Sequence, residues 1–245
     1  MNKIKHYHQE TKSLPYIFFF SLPMLILYEL LILSLNKAEW LDVRNGADVL
    51  VKRFLRVFGL EGFIGLSLAL LVILVVFVFK ELKKRSFQLR ADYLAGMLVE
   101  SILYAVLLRY LLVIVASVVS AAAITPVMMW SGRRVLLPAV VLSLGAGIYE
   151  ELVFRVVLLQ ALIYVSLRLI GPRARKGAVT VLAVTVGAFI FSLSHYIGAL
   201  GDPFRLSSFI QRVVAGIFLS GVFLLRGYGI AAWTHALFDL YVVLL

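Results

Sequence analysis

Six side chains capable of acid–base chemistry stand inside stretches that are otherwise apolar: Glu150, Glu151 and Arg155 in one run, His195 in the next, and His235 with Asp239 in the last. A charged group inside a membrane span costs at least about 2.5–3.5 kcal/mol on insertion scales, so each of them asks for a reason. Glu150 and Glu151 are adjacent, hence about 100° apart around an α-helix, and that spacing keeps them from sharing one partner. Arg155 follows Glu151 by four residues, the favourable acid-before-base spacing for a helical ion pair. Such a pair neutralises Glu151 and leaves Glu150 aimed elsewhere. A carboxylate without its own cation in an apolar site suits a general base working on water. The same three residues serve equally well as a structural triad that ties helices together.

His195 lies four residues after Phe191 and is flanked by Ser194 and Tyr196. A lone His in a membrane helix is more often a hydrogen-bonding link between helices than a catalyst. His235 and Asp239 are again four apart and share one helical face, and a carboxylate beside an imidazole fixes its tautomer. Convergence of four polar groups from three helices would turn these separate features into a site.

The stretches Glu150-Glu151-Leu152-Val153-Phe154-Arg155, Phe191-Ser192-Leu193-Ser194-His195 and His235-Ala236-Leu237-Phe238-Asp239 resemble, in order, the EExxxR, FxxxH and HxxxN/D motifs of the CPBP family. That family comprises type II CaaX prenyl proteases, bacteriocin-processing and bacteriocin-immunity proteins, and related intramembrane glutamate peptidases. The resemblance covers residues 139–245. It implies that Glu150 and His195 activate a water for attack on a peptide carbonyl, that His235 with Asp239 stands where the oxyanion develops, and that Glu151 and Arg155 hold the first helix in place. It implies no cofactor and no metal. One position departs from the prenyl proteases, which carry Asn where this chain has Asp239: an amide donates to an oxyanion and an ionised carboxylate does not. Either Asp239 is protonated, or it orients His235 and the imidazole donates.

The elements that carry these residues follow from composition. The chain has 245 residues, 62% hydrophobic and 15% charged, with no Cys, and a mean hydropathy of +1.01. Soluble domains are about 45–50% apolar and about 25% charged, which places this chain in a bilayer and excludes a soluble globule, a disordered tail and a disulfide scaffold. The net charge of +11 sits at the ends of apolar runs, where Lys and Arg meet headgroups, so nucleic acid is not an expected partner. The expected architecture is an all-α membrane protein of about seven spans, at 16–35, 62–79, 93–123, 139–170, 178–197, 207–225 and 228–245. Residues 37–61 carry an amphipathic helix, with Leu50, Phe54, Val57 and Phe58 on one face and Lys52, Arg53 and Arg56 on the other. It either lies in the interface or packs on the domain. A loop holding Pro126, Gly132, Arg133, Arg134 and Pro138 separates an N-terminal scaffold, residues 1–138, from a catalytic core, residues 139–245.

The run 139–170 would be about 48 Å long as one straight helix, against a hydrocarbon core of about 30 Å. A break or tilt at Gly145-Ala146-Gly147 would bring Glu150 to the depth of His195. The remaining intramembrane charges have milder readings. Glu29 and Arg109 snorkel or pair, Glu100 pairs with a polar group on another helix, and Arg212 meets a headgroup or a substrate carboxylate. Gly216 and Ser220 form a small-residue packing face. The Lys and Arg distribution favours a cytoplasmic N-terminus in a multi-pass protein of the cell membrane.

The expected function is an intramembrane endopeptidase acting near the terminus of a membrane-associated protein or peptide. Two rivals remain. Glu150, His195 and His235 form a two-His, one-carboxylate set that would suit a metallopeptidase, although no HExxH is present. Alternatively, the polar cluster only locks the helices of a non-catalytic immunity or scaffold member.

Overall fold

In an apolar solvent the main chain must satisfy its own N–H and C=O groups, and every regular element among the described residues is helical. The computed structural model describes residues 3–36, 44–56, 88–119, 133–171, 175–198 and 201–244, with isolated positions between 72 and 83. The helices are α1 (Lys3–Glu10), α2 (Leu14–Asn36), α3 (Gly46–Arg56), α4 (Ala91–Val119), α5 (Arg133–Gly145), α6 (Gln160–Ile170), α7 (Lys176–Ser194), α8 (Leu206–Arg226) and α9 (Tyr228–Leu244). Between α5 and α6 the chain winds on as two π-helical stretches, Ala146–Glu150 and Leu152–Leu159. Five segments, Leu14–Leu35, Ala91–Val119, Leu136–Ile170, Lys176–Ser194 and Leu206–Arg226, are long and apolar enough to cross a membrane, and α9 is a shorter apolar helix. The expected span at 62–79 and the flanks of the expected amphipathic helix, 37–43 and 57–61, lie outside the described residues apart from those isolated positions.

Two expectations change. Arg133, Arg134 and Pro138 are helical, because α5 begins at Arg133 and takes in Pro138. Proline removes one N–H donor, a loss that membrane helices tolerate. At Gly145-Ala146-Gly147 the helix does not break. It changes from α to π winding at Ala146, passes through one α residue at Glu151, and is α again from Gln160.

Helix α4 illustrates how packing, not hydropathy, decides which face turns inward. Tyr93, Met97, Ser101, Ala105, Leu108, Leu112 and Ala116 form its buried stripe. Val99, Leu103, Leu107, Tyr110, Ile114 and Val118 point outward, as lipid-facing residues must. At the centre of the fold lies α9, whose Gly229, Ile230, Ala231, Ala232, Thr234, His235 and Ala236 are buried. It touches α2, α4, α5, α8 and both π stretches. Its small side chains let those backbones approach closely. The approach is tightest at Gly147, where a Cβ would run into the Ala232 carbonyl oxygen and lie 2.8 Å from Ala236 Cβ. A similar contact joins α7 and α8, where a Cβ on Gly216 would lie 3.0 Å from that of Ala188. One residue, Gly227, links α8 to α9 in a left-handed conformation (φ 87°) that a side chain would strain.

Two acidic groups away from the site have partners on distant elements. Arg226 holds Glu100 of α4 through both carboxylate oxygens, at 2.6 and 2.9 Å, and donates to Thr11 Oγ1 at 3.1 Å. Glu29 accepts from the Tyr149 hydroxyl at 3.3 Å.

The Gly147 contact carries a prediction. Gly147→Ala lowers stability by about 1–3 kcal/mol, the usual cost of overpacking. By contrast Gly177→Ala, in the first turn of α7 with open space around it, is neutral or stabilising by up to about 1 kcal/mol. Thermal unfolding in detergent measures both, and a Gly147→Ala protein as stable as wild type contradicts the packing described.

Candidate active site

The residues singled out by type and spacing come from three elements. Glu150 and Arg155 lie on the two π-wound stretches with Glu151 between them, His195 caps the end of α7, and His235 and Asp239 lie on α9. A π-helix winds more slowly than an α-helix, through i→i+5 instead of i→i+4 hydrogen bonds, so successive side chains fan out less. This alters the expectation that Glu150 and Glu151 face different partners. His235 stands between them, with Nδ1 2.7 Å from Glu151 Oε1 and Nε2 4.0 Å from Glu150 Oε2.

Glu151 is the inner anchor. Its side chain has 0% exposure, and its Oε1 is shared by the His235 Nδ1–H and by Arg155 Nη1, 2.9 Å away. The Arg155 contact is an ion pair without hydrogen-bond alignment, and the guanidinium carbon lies over the Phe191 ring, 4.5 Å from its centroid. A planar, weakly hydrated guanidinium suits such an aromatic face. Phe191 also meets His195, His235 and Phe154 edge-on, at 4.9, 6.2 and 5.1 Å between centroids. The carboxylate on His235 Nδ1 is therefore Glu151, while the Asp239 that the four-residue spacing on α9 sets beside His235 lies toward the other side of the ring. Asp239 Oδ2 stands 3.7 Å from the other ring nitrogen, Nε2, beyond hydrogen-bond reach.

Glu150 faces the accessible side. His195 Nε2 lies 3.9 Å from Glu150 Oε2, while His195 Nδ1 is 2.8 Å from the carbonyl of Phe191. A carbonyl only accepts, so Nδ1 carries a proton and Nε2 is turned toward Glu150; in the neutral ring that nitrogen is bare. With the ring neutral, two acceptors confront each other across 3.9 Å. That gap is too wide for a direct hydrogen bond and suited to a molecule that donates twice.

The other oxygen of Glu150 has a partner the sequence reading did not name. Asn45 donates from Nδ2 to Glu150 Oε1 at 2.8 Å. An Asn before a short amphipathic helix is a signal for an N-cap, but nothing in the sequence ties it to a residue 105 positions later. Arg212, expected at a headgroup or substrate carboxylate, forms an ion pair with Asp202 on the segment after α7 and stacks on Tyr196, 5.1 Å from the ring centroid.

Among the described residues no group of three His, Asp or Glu side chains is arranged to hold a metal ion. Residues 132–241 match the family model described as type II CAAX prenyl endopeptidase Rce1-like. No curated protein and no solved structure matches the chain.

The two adjacent glutamates differ in what depends on them. Glu151→Gln leaves the buried Arg155 without its counter-charge and lowers stability by about 3–5 kcal/mol. Glu150→Gln keeps an acceptor for Asn45, strands no cation and changes stability by about 1 kcal/mol or less. Thermal unfolding of the two purified variants checks this, and equal losses would refute the division between them.

Proposed function

We propose, from the premise that residues 132–241 match the Rce1-like type II CAAX prenyl endopeptidase family, that this protein is a membrane-embedded protease whose water is activated by Glu150 and His195. One observation carries the reading: Nε2 of His195, whose Nδ1 is engaged by a carbonyl, and Oε2 of Glu150 face each other at 3.9 Å, and with the imidazole neutral that nitrogen is an acceptor. A water between them donates one O–H to each, and its lone pairs are left for a carbonyl carbon. On attack, the new C–O bond forms as Glu150 or His195 takes the proton, and the carbonyl oxygen becomes an oxyanion. His235, its Nδ1–H engaged by Glu151, offers Nε2 on the same side, and with a proton there it donates to that oxyanion. The proton then passes to the amide nitrogen as the C–N bond breaks. Asp239 near Nε2 supports the proton on His235 by its charge, so the missing Asn amide is replaced by an imidazole donor.

The family name points to the substrate class. A membrane-associated protein or peptide cut near a Cys-containing C-terminus is the reading we favour, with the bilayer delivering it. Residues 139–245 then act as the catalytic core.

Purified protein in detergent, given quenched fluorescent peptides ending in a CaaX sequence with and without a farnesyl group, tests this. Glu150→Gln and His195→Gln are each expected to lower kcat about 10²–10⁴-fold. Retained turnover in Glu150→Gln sinks the mechanism. Loss of wild-type turnover with a strong chelator, restored by a divalent cation, favours the metallopeptidase, and wild-type protein that cleaves neither peptide favours the non-catalytic member.

A further inference from the structure

The segment matched by the family model begins at residue 132, and every expected site residue lies within it. Asn45 lies outside it. Its side chain is almost wholly enclosed (8% exposed) and is used at both ends. Oδ1 accepts from the Ala47 N–H at 2.8 Å, capping α3, while Nδ2 donates to Glu150 Oε1 at 2.8 Å. The cap settles which way the amide points: turning it over would put Oδ1 against a carboxylate and Nδ2 against an N–H.

The residues around Asn45 hold it against the site. Three positions later, the buried Asp48 accepts from the Tyr28 hydroxyl at 2.8 Å and from Arg44 at 2.9 Å, so the start of α3 is fastened to α2. Tyr28 in turn packs at a tilt against Tyr149, the residue before Glu150, with ring centroids 5.5 Å apart. Below Asn45 lies Gly145, where a Cβ would come within 2.8 Å of Asn45 Cβ and 2.7 Å of the Tyr28 ring. A side chain there would push Asn45 off Glu150. Glycine at 145 is thus what lets a residue of the N-terminal part reach the carboxylate.

We propose that Asn45 is a positioning residue for Glu150, so that the site is completed by the N-terminal part of the chain. By engaging Oε1 it fixes the carboxylate plane and leaves Oε2 toward His195 and His235, 3.9 and 4.0 Å away. A freely rotating carboxylate would present either oxygen to either imidazole and lose the alignment that water activation needs. This inference rests on the protease reading above.

The test separates holding α3 from holding Glu150. Asn45→Ser keeps a good N-cap and loses the donor to Glu150. With the tail peptide that the wild-type protein cleaves, kcat is expected to fall about 10–100-fold, with KM within about threefold and the melting temperature close to wild type. Asn45→Asp keeps the shape and the cap but replaces the donor with a carboxylate. Around Glu150 stand His195 from α7, His235 and Asp239 from α9, and Glu151 and Arg155 on its own helix. Against this fixed set, a proton shared between the introduced carboxylate and Glu150 restores the donor. The activity of Asn45→Asp relative to wild type therefore rises as pH falls. A kcat for Asn45→Ser within twofold of wild type overturns the proposal. So does a loss of activity accompanied by an equal loss of stability and a pH-independent ratio for Asn45→Asp. Wild-type protein that cleaves neither peptide is a different failure: it overturns the protease reading itself, and the role of Asn45 in it.

Discussion

A single carboxylate oxygen, Glu151 Oε1, meets both a buried guanidinium and a buried imidazole. In water such a cluster would be worth little, because each ion would exchange its partner for solvent. Inside the helix bundle there is no solvent to exchange with, and separating any member leaves a charge or a donor stranded. The register between the π-wound stretch and α9 is therefore fixed by chemistry as well as shape. Where Gly147 meets Ala232 and Ala236, the backbones come close enough for that oxygen to reach across. Packing by small residues and the buried charges thus enforce one alignment.

Glu150, one residue earlier, escapes this lock and faces the accessible side. Neighbouring glutamates of identical chemistry come to play opposite parts: one has its nearest oxygen consumed by structural partners, the other keeps an oxygen available. The N-terminal helices sit on the second arrangement from outside. Tyr28, Asp48 and Asn45 form a brace that runs from α2 through α3 to the carboxylate, which ties the part of the chain without recognisable motifs to the part that has them.

How much of this is legible in the sequence varies with the range of the contact. The Glu151–Arg155 pair can be read from spacing because both residues lie on one helix. The all-helical membrane architecture can be read from composition, since apolar solvent leaves the backbone few options. Which face of α4 turns inward cannot, because both its faces are apolar and only contact decides. Spacing finds one neighbour of His235, Asp239 on α9, but not the other, since Glu151 on another helix takes Nδ1. The fine geometry of the 146–159 stretch is visible only as a length problem. Two glycines mark the place without saying that the chain changes its winding there instead of bending. Asn45 is invisible for a plainer reason, since a contact across 105 positions leaves no local pattern.

The π winding also bears on the number of residues this protein can hold in its longest helix. Relative to α geometry, a π turn accommodates an extra residue. Remove one residue between Ala146 and Leu159 and the chain could relax toward an ordinary α-helix, still apolar and still long enough to cross a bilayer. The flanking α-helices would keep nearly their phase, but residues inside the stretch, Glu150 among them, would be re-aimed by up to about one residue's turn, about 100°. Hydropathy would be untouched, yet Asn45, Glu150 and the imidazoles would no longer converge. For this stretch, chain length itself is part of the active site's specification, and insertions or deletions that loops absorb freely should be excluded here.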